Sequence, residues 1–317
     1  MSDPAQASPP AAAAPTAPMI AFASDYGHAD PFVGVCHLVL AQHAPQARVI
    51  DLVHDLDAHQ VVPAAVALAD AARWLPQGAV LLAVVDPGVG SARRGVALQA
   101  GLAGAAAPRA WLVGPDNGVL VPAAEALGGV RAAWALPGWE PPPGQAATFD
   151  GRDVFAPAAA HLAAHGHAPT AAEPLDPAVL VTPEIPPAAV ERGRIAAAIV
   201  RVDRFGNLAL AAEGAALAAA GFAEGDRVLV TVTGAAAQPE AAGAAAQPEP
   251  AGAAAGAPQQ PTGARPARVA ASFAALEGGL GVLPDAFGRL QIALDRGSAA
   301  AALAAGPGHG VIITTGA

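Results

Sequence analysis

The 317-residue chain contains no lysine; all 16 of its basic side chains other than histidine are arginines. That excludes a Walker A phosphate loop, whose lysine reaches the phosphates. It equally excludes Schiff-base chemistry, which needs a lysine amine. There is a single cysteine, Cys36, so the chain has no internal disulfide and no cysteine-based zinc site. Charge is scarce at 13% and the net charge is −10. That argues against nucleic acid as a partner, which calls for a basic footprint. No apolar run is long and bulky enough for a membrane span. The opening stretch, MSDPAQASPPAAAAPTAP, has no basic region followed by a leucine-rich one, so it is not read as a secretory signal. It reads as a disordered Pro/Ala tail over 1–18, and the cytoplasm is the expected location.

What is present alternates. MIAFAS (19–24), RVIDLVHD (48–55) and AVLLAVVD (79–86) read as strands, the last buried on both faces. Between them, 31–45 and 61–76 have helical periodicity, with Phe32, Val35, Val39 and Leu40 expected to share a face. GVALQA and AWLVG follow. This order predicts an α/β, doubly wound parallel sheet over 19–185. From 193 to 317 the segments RIAAAIVRVD, NLALA, DRVLVTVT, RVAASFAAL, RLQIALD and GVIITT read as short strands of a small β-barrel. The Pro-rich stretch 166–193 marks the boundary. The low-complexity segment 234–266 is expected to be a disordered loop between two barrel strands.

Three acidic residues end strands in the first half: Asp25 in SDYGHAD, Asp86 in VVDPGVGSARR and Asp116 in VGPDNG. In a parallel sheet such ends open on one edge, where ligands bind. Singly, each is explained as a turn former; together they point to one crevice. DPGVGSARR is not a dinucleotide loop, because Arg93 stands where GxGxxG needs glycine. Gly88 and Gly90 remain as turn glycines. His161, His165 and His167 have ligand spacing but no HExxH glutamate and no cysteine partner, so they read as a solvated helix end and no metal site is expected. VDRFGNLAL fits two readings. One is a purine pocket built on Phe205 and Asn207; the other is a hairpin turn around Gly206. TFDGRD (148–153) crowds Asp150, Arg152 and Asp153 into four positions of a charge-poor chain.

SDYGHADPFVG, VVDPGVGSARR, VGPDNGVL, TFDGRDVFAPAAAHLA, VDRFGNL and FGRLQIALDRGSAAAAL occur in that order. Together they resemble the S-adenosyl-L-methionine (SAM) hydroxide adenosyltransferases, or SAM hydrolases, relatives of fluorinase and chlorinase. The resemblance implies an α/β domain, a C-terminal β-barrel and a homotrimer with its ligand between subunits. It implies SAM as substrate, with no separate cofactor, giving adenosine and methionine. It assigns Asp86 to orienting water and contacting ribose, and Arg93 to stabilising hydroxide character. Asp25 would hold the ribose hydroxyls, Asp203 the methionine ammonium, and Phe205 and Asn207 the adenine. Asp150 completes the catalytic set, but the family pattern there is TFHGRD. That leaves three outcomes: a carboxylate base, SAM or adenosine binding without turnover, or a changed nucleophile. A halide would be repelled by the added negative charge. Asp285-Ala286 and Gln291 also depart from the family's Asn-Ser and Glu, at the methionine end.

Overall fold

Every residue of strand β3 (Ala79–Val84) is buried, which fits its unbroken apolar run. β3 is the third strand of a seven-stranded sheet ordered β2-β1-β3-β5-β4-β6-β7. These are β1 (Met19–Ser24), β2 (Arg48–Val53), β4 (Gly95–Ala100), β5 (Ala110–Pro115), β6 (Val130–Leu136) and β7 (Glu173–Leu175). The structure is a computed structural model that describes residues 17–140, 142–144, 146–235 and 263–316. The proposed tail therefore lies outside the described residues except for 17–18. So does most of the low-complexity segment, whose described ends run into barrel strands.

β2, β1, β3 and β5 run parallel, and Ser24 pairs with Val84, so β1 and β3 end on the same edge. The predicted doubly wound parallel sheet holds for these four strands; β4 departs from the parallel run, antiparallel to both β5 and β6, and β7 is antiparallel to β6. The reversal has a simple cause. Only about ten residues separate β3 from β4, too few for the helical crossover that a parallel partner needs. β4 therefore starts on the edge where β3 ends, and residues 85–94 never leave it.

Helices cover both faces. α1 (Phe32–His43) and α4 (Ala156–His165) pack on Ile20, Phe22, Val80 and Leu82. α2 (Val61–Ala72) and α3 (Val121–Ala126) pack on Ala21, Ala23, Leu81 and Ala83. The odd–even split along β1 is the pleat of a strand. In α1 the buried face is Val33, Cys36 and Leu40, one position away from the expected Phe32-Val35-Val39-Leu40 face. Phe32 instead lies half-exposed beside Tyr26 and Phe149, with ring centroids 5.5 and 5.2 Å away.

The second sheet closes on itself. β10 (Leu208–Glu213), β14 (Arg289–Leu294), β13 (Leu280–Pro284), β12 (Arg265–Val269), β11 (Arg227–Ala235), β15 (His309–Thr315) and β9 (Arg194–Val202) follow one another. β9 then pairs back onto β10, giving a seven-stranded barrel with β8 (Ala189–Glu191) added outside β9. The short helices α5 (Ala215–Ala219) and α6 (Ala299–Leu303) cap its core of Ile195, Leu208, Leu210, Val230 and Ile313. RVAASFAAL is not one strand: β12 stops at Val269 and Phe273–Leu276 forms a 3₁₀ turn. The turn tucks Leu276 against Gly281, where a Cβ would lie 2.0 Å from Leu276 Cδ2. β13 was not anticipated.

The barrel docks on α2. Val66 packs with Val200 and Ala209, and Arg289 Nη2 donates to Asp70 Oδ1 at 3.1 Å, both side chains largely buried.

Candidate active site

Asp86 leaves β3 at the sheet edge, and residues 87–91 turn the chain back toward β4. Gly90 sits in the left-handed region at φ +78°, and a Cβ there would lie 2.9 Å from the Ala147 carbonyl oxygen. Glycine is thus required on two counts, backbone angle and space. The turn delivers Arg93 across the mouth of the loop. Its guanidinium lies over Phe155, with Cζ 5.3 Å from the ring centroid.

The third member arrives from far along the chain. Residues 151–155 form one π-helical turn that runs directly into α4. Such wide turns recur at functional sites because they re-aim a side chain at a helix entrance. Gly151 is needed here, since a Cβ would lie 2.1 Å from the Tyr26 hydroxyl. Asp150, just before the turn, faces Arg93.

Arg93 Nη2 donates to Asp150 Oδ2 at 2.6 Å and also to Asp86 Oδ2. The side chains of Asp86, Arg93 and Asp150 are 6%, 10% and 17% exposed, so this is a nearly dry ion triad of net charge −1. Two buried atoms in it are without a partner: Asp86 Oδ1 and Arg93 Nε. Burial pushes the Asp86 carboxyl up to about 6, with Arg93 pulling against it and the charge of Asp150 adding to the rise. The site therefore presents an unpaired carboxylate oxygen whose proton affinity suits a base near neutral pH.

Arg152 takes no part in that triad. It makes a two-pronged pair with Asp153, at 2.6 and 2.7 Å, which accounts for the other two charges of TFDGRD. Asp116 is also committed elsewhere. It accepts twice from Arg94 and once from the Val181 N–H, at 2.6 to 3.0 Å. It ties β5 to the connection toward the barrel.

Asp25 stands at the end of β1 and accepts from the His59 N–H at 3.0 Å. Tyr26, beside it, has its hydroxyl pushed far up by burial, with Asp86, Asp25 and Asp150 among the charges that add to the rise. The ends of β1 and β3 and the 150 turn thus converge around one phenol, which sequence reasoning missed despite its place next to Asp25.

The second group of expected residues is arranged differently. Asp203 Oδ1 accepts from the N–H groups of Phe205 and Asn207, each at 2.9 Å, and Oδ2 from the Asn207 amide at 2.8 Å. Within one chain VDRFGN is a tight turn between β9 and β10. Gly206 holds φ +82°, and a Cβ there would collide with Ser298. Asn207 is buried, while Phe205 is 72% exposed at the tip. Among the described residues, no hydrogen bond or ion pair joins this turn to the Asp86 triad. Gln291 is buried in β14. Ala286 lines a cavity of about 310 Å³ between the 285–288 turn and Asp70, Arg73 and Trp74 of the α2 region.

His165 and His167 are exposed at the end of α4, and His161 is half-buried between them and the helix. Burial first, then the two neighbouring rings, lower its proton affinity.

An α/β sheet whose strand-end acids meet an arginine, followed by a closed seven-stranded barrel, defines a two-module architecture. Residues 20–172 match the SAM hydroxide adenosyltransferase N-terminal domain and residues 197–312 the C-terminal domain. The chain belongs to this family. It is 48% identical over 205 residues to a Salinispora tropica protein named (R)-S-adenosyl-L-methionine hydrolase, covering 64% of this chain and 75% of that one. A Thermus thermophilus protein of the same name is 46% identical over 197 residues, covering 59% and 71%. A fluorinase from an Actinoplanes species is 29% identical over 214 residues, covering 60% and 70%. Among solved structures, an uncharacterized conserved protein from Thermotoga maritima superposes with TM-score 0.74 at 27% identity, covering 93% of this chain and all of that one.

Proposed function

We propose that the protein hydrolyses S-adenosyl-L-methionine to adenosine and methionine. The observation that carries this is the unpaired, buried Oδ1 of Asp86, raised in proton affinity and fixed by Arg93. Water held between Asp86 and Arg93 attacks C5′ of the substrate. The C5′–S bond breaks as the C5′–O bond forms, and the bonding pair leaves on sulfur. The sulfonium thereby becomes the neutral thioether of methionine. The proton of the attacking water passes to Asp86 and then to solvent. Water is the sole second reactant. The arginine Nη2 stabilises negative charge as it builds on the water oxygen, while the net charge of the triad draws in a cationic substrate.

Asp150 has a definite place in this scheme. It shares Arg93 Nη2 with Asp86, so it sets the arginine's position and adds to the upward push on Asp86. A carboxylate in place of the family's histidine thus leaves Asp86 as the base. The names of the relatives in Salinispora and Thermus support the R epimer at sulfur as the substrate.

Asp25 is assigned to the ribose hydroxyls, and Phe205 and Asn207 to adenine, with Asp203 at the methionine end. The last three serve a neighbouring copy in a homotrimer, which their separation from Asp86 within one chain and the 72% exposure of Phe205 support. The same reading divides the chain into a 19–185 unit and a 193–317 barrel unit.

The test is incubation with each SAM epimer, following adenosine and methionine by chromatography, with light scattering for copy number. Equal amounts of both products, well above the nonenzymatic rate, are expected from three-copy particles. Tight binding of SAM with no product would replace this reading with that of a SAM-binding protein.

A further inference from the structure

We propose a second site in this chain: a divalent transition-metal site of the zinc type, with His37, Asp51 and His54 as its ligands. It lies on the outer edge of the sheet, where α1 crosses β2, and takes no part in the hydrolysis argued above.

His37 comes from α1, Asp51 from β2 and His54 from just past its end, and the three meet at one oxygen. His37 Nε2 lies 2.8 Å and His54 Nε2 3.0 Å from Asp51 Oδ1. Among the described residues, this is the group of three His, Cys, Asp or Glu side chains whose donor atoms all fall within 4.8 Å of one another. Ligand atoms about 2 Å from one ion sit about 3 Å apart, so the observed spacings suit a shared ion. Two imidazoles and a carboxylate are the donors that zinc, cobalt and nickel accept.

The second observation is the state of His54. Its side chain is 1% exposed, and its Nε2 is buried with no aligned hydrogen bond despite the nearby carboxylate. A buried ring nitrogen without an aligned hydrogen bond is costly unless something else uses it. The far side of the ring is well held. Nδ1 lies 2.7 Å from Ser24 Oγ, and Phe22 packs edge-on against the ring at 4.6 Å. In the tautomer with Nδ1–H donating to Ser24, Nε2 carries the free lone pair. That is the outer-shell arrangement that orients a ligating histidine. His37 and Asp51 are 34% and 44% exposed, which provides an entry path and leaves positions for water. His28 and Asp55, 4.0 Å apart, stand beside His54 on the same edge.

The test is equilibrium dialysis of tag-free full-length protein against micromolar Zn²⁺ or Co²⁺, with elemental analysis and the visible Co²⁺ spectrum. One ion per chain is expected, lost at least tenfold in affinity in His37→Ala and in Asp51→Asn. Both side chains are part-exposed, so these variants keep the fold, which circular dichroism verifies. The wild type, and neither variant, should gain several degrees in Tm with the ion. No uptake at these concentrations overturns the proposal. So does uptake that survives His37→Ala and disappears in His165→Ala/His167→Ala, which would put the ion at the end of α4. The readout is binding, so neither result depends on hydrolase activity.

Discussion

Arg93 donates from Nη2 to Asp150 across 57 residues of chain, and the same nitrogen holds Asp86 only 7 residues away. One guanidinium nitrogen therefore holds two carboxylates in place and, at Asp86, pulls against the upward push of burial. Asp86 keeps an oxygen free for water, while Asp150 spends one of its oxygens on the arginine. The division of labour follows from burial, since Asp86 is the more enclosed of the two.

Removing the base should stop the chemistry and spare the fold. Asp86→Asn keeps the shape but cannot take a proton. Adenosine formation is expected to fall by about 10²–10⁴-fold, with SAM still bound in calorimetry. Activity within threefold of wild type would remove Asp86 from the mechanism.

The pH profile should carry the signature of Asp86. Its carboxyl sits at about 6 in the folded chain, above the ordinary 3.8. The base form is filled as pH rises through about 6, so kcat/KM should climb with unit slope below that value and level off above it. The bound sulfonium favours the ionised carboxylate, so the limb in kcat should lie lower. Stability carries the opposite sign. Between 3.8 and 6 the unfolded carboxyl gives up its proton before the folded one, so this group's contribution falls as pH rises through that window. Above about 6 it is level. Stopped assays across pH 4.5–8, and denaturant titrations of wild type and Asp86→Asn, check both signs.

Arg93→Met should be costly at neutral pH. It keeps an unbranched side chain but leaves two buried carboxylates without a counter-charge, a loss of about 3–5 kcal/mol. Acid should relieve the deficit, because one of the two takes up a proton. A Tm deficit at pH 7.5 that shrinks toward pH 5 is the expected outcome, and an equal deficit at both would speak against the triad.

Gly151→Ala should disturb the entrance of α4, because its Cβ would meet the Tyr26 hydroxyl. A loss of about 1–3 kcal/mol is expected. In a Tyr26→Phe background the same substitution should cost less, since the colliding oxygen is gone. A double-mutant cycle by urea denaturation reads the difference directly, and a coupling of zero would place the strain elsewhere.

Replacing Asp150 with the histidine of the family pattern should preserve turnover. Asp150→His still offers Arg93 an acceptor, but it removes a negative charge that raises Asp86. The acid limb of kcat/KM should move to lower pH. Loss of all activity in this variant would show that the carboxylate itself is indispensable here.

Much of this protein was determined locally. The unbroken apolar run of β3, the strand-end acids Asp25 and Asp86, and the short alternating strands of the barrel follow from hydrophobic period and turn chemistry, which any stretch of chain carries by itself. So does the failure of DPGVGSARR as a dinucleotide loop. The same strand-end logic, applied to β2, would have reached His54. Other features were decided by partners distant in sequence. The direction of β4 is invisible in GVALQA itself, and only the short connection before it, together with its place between β5 and β6, keeps Asp86 and Arg93 on one edge. The residues of α1 that face the core depend on a rotation of one position, which the apolar pattern of a nearly all-hydrophobic helix does not set. That Asp150 meets Arg93 and not its neighbour Arg152 depended on a π-helical turn and on the glycine that lets Tyr26 close in. The setting of the buried His54 ring depends on Ser24, Phe22 and Asp51 arriving together. Sequence specifies what each segment can bury, and burial among distant neighbours decides the charge, the pairing and the proton affinity of what it carries.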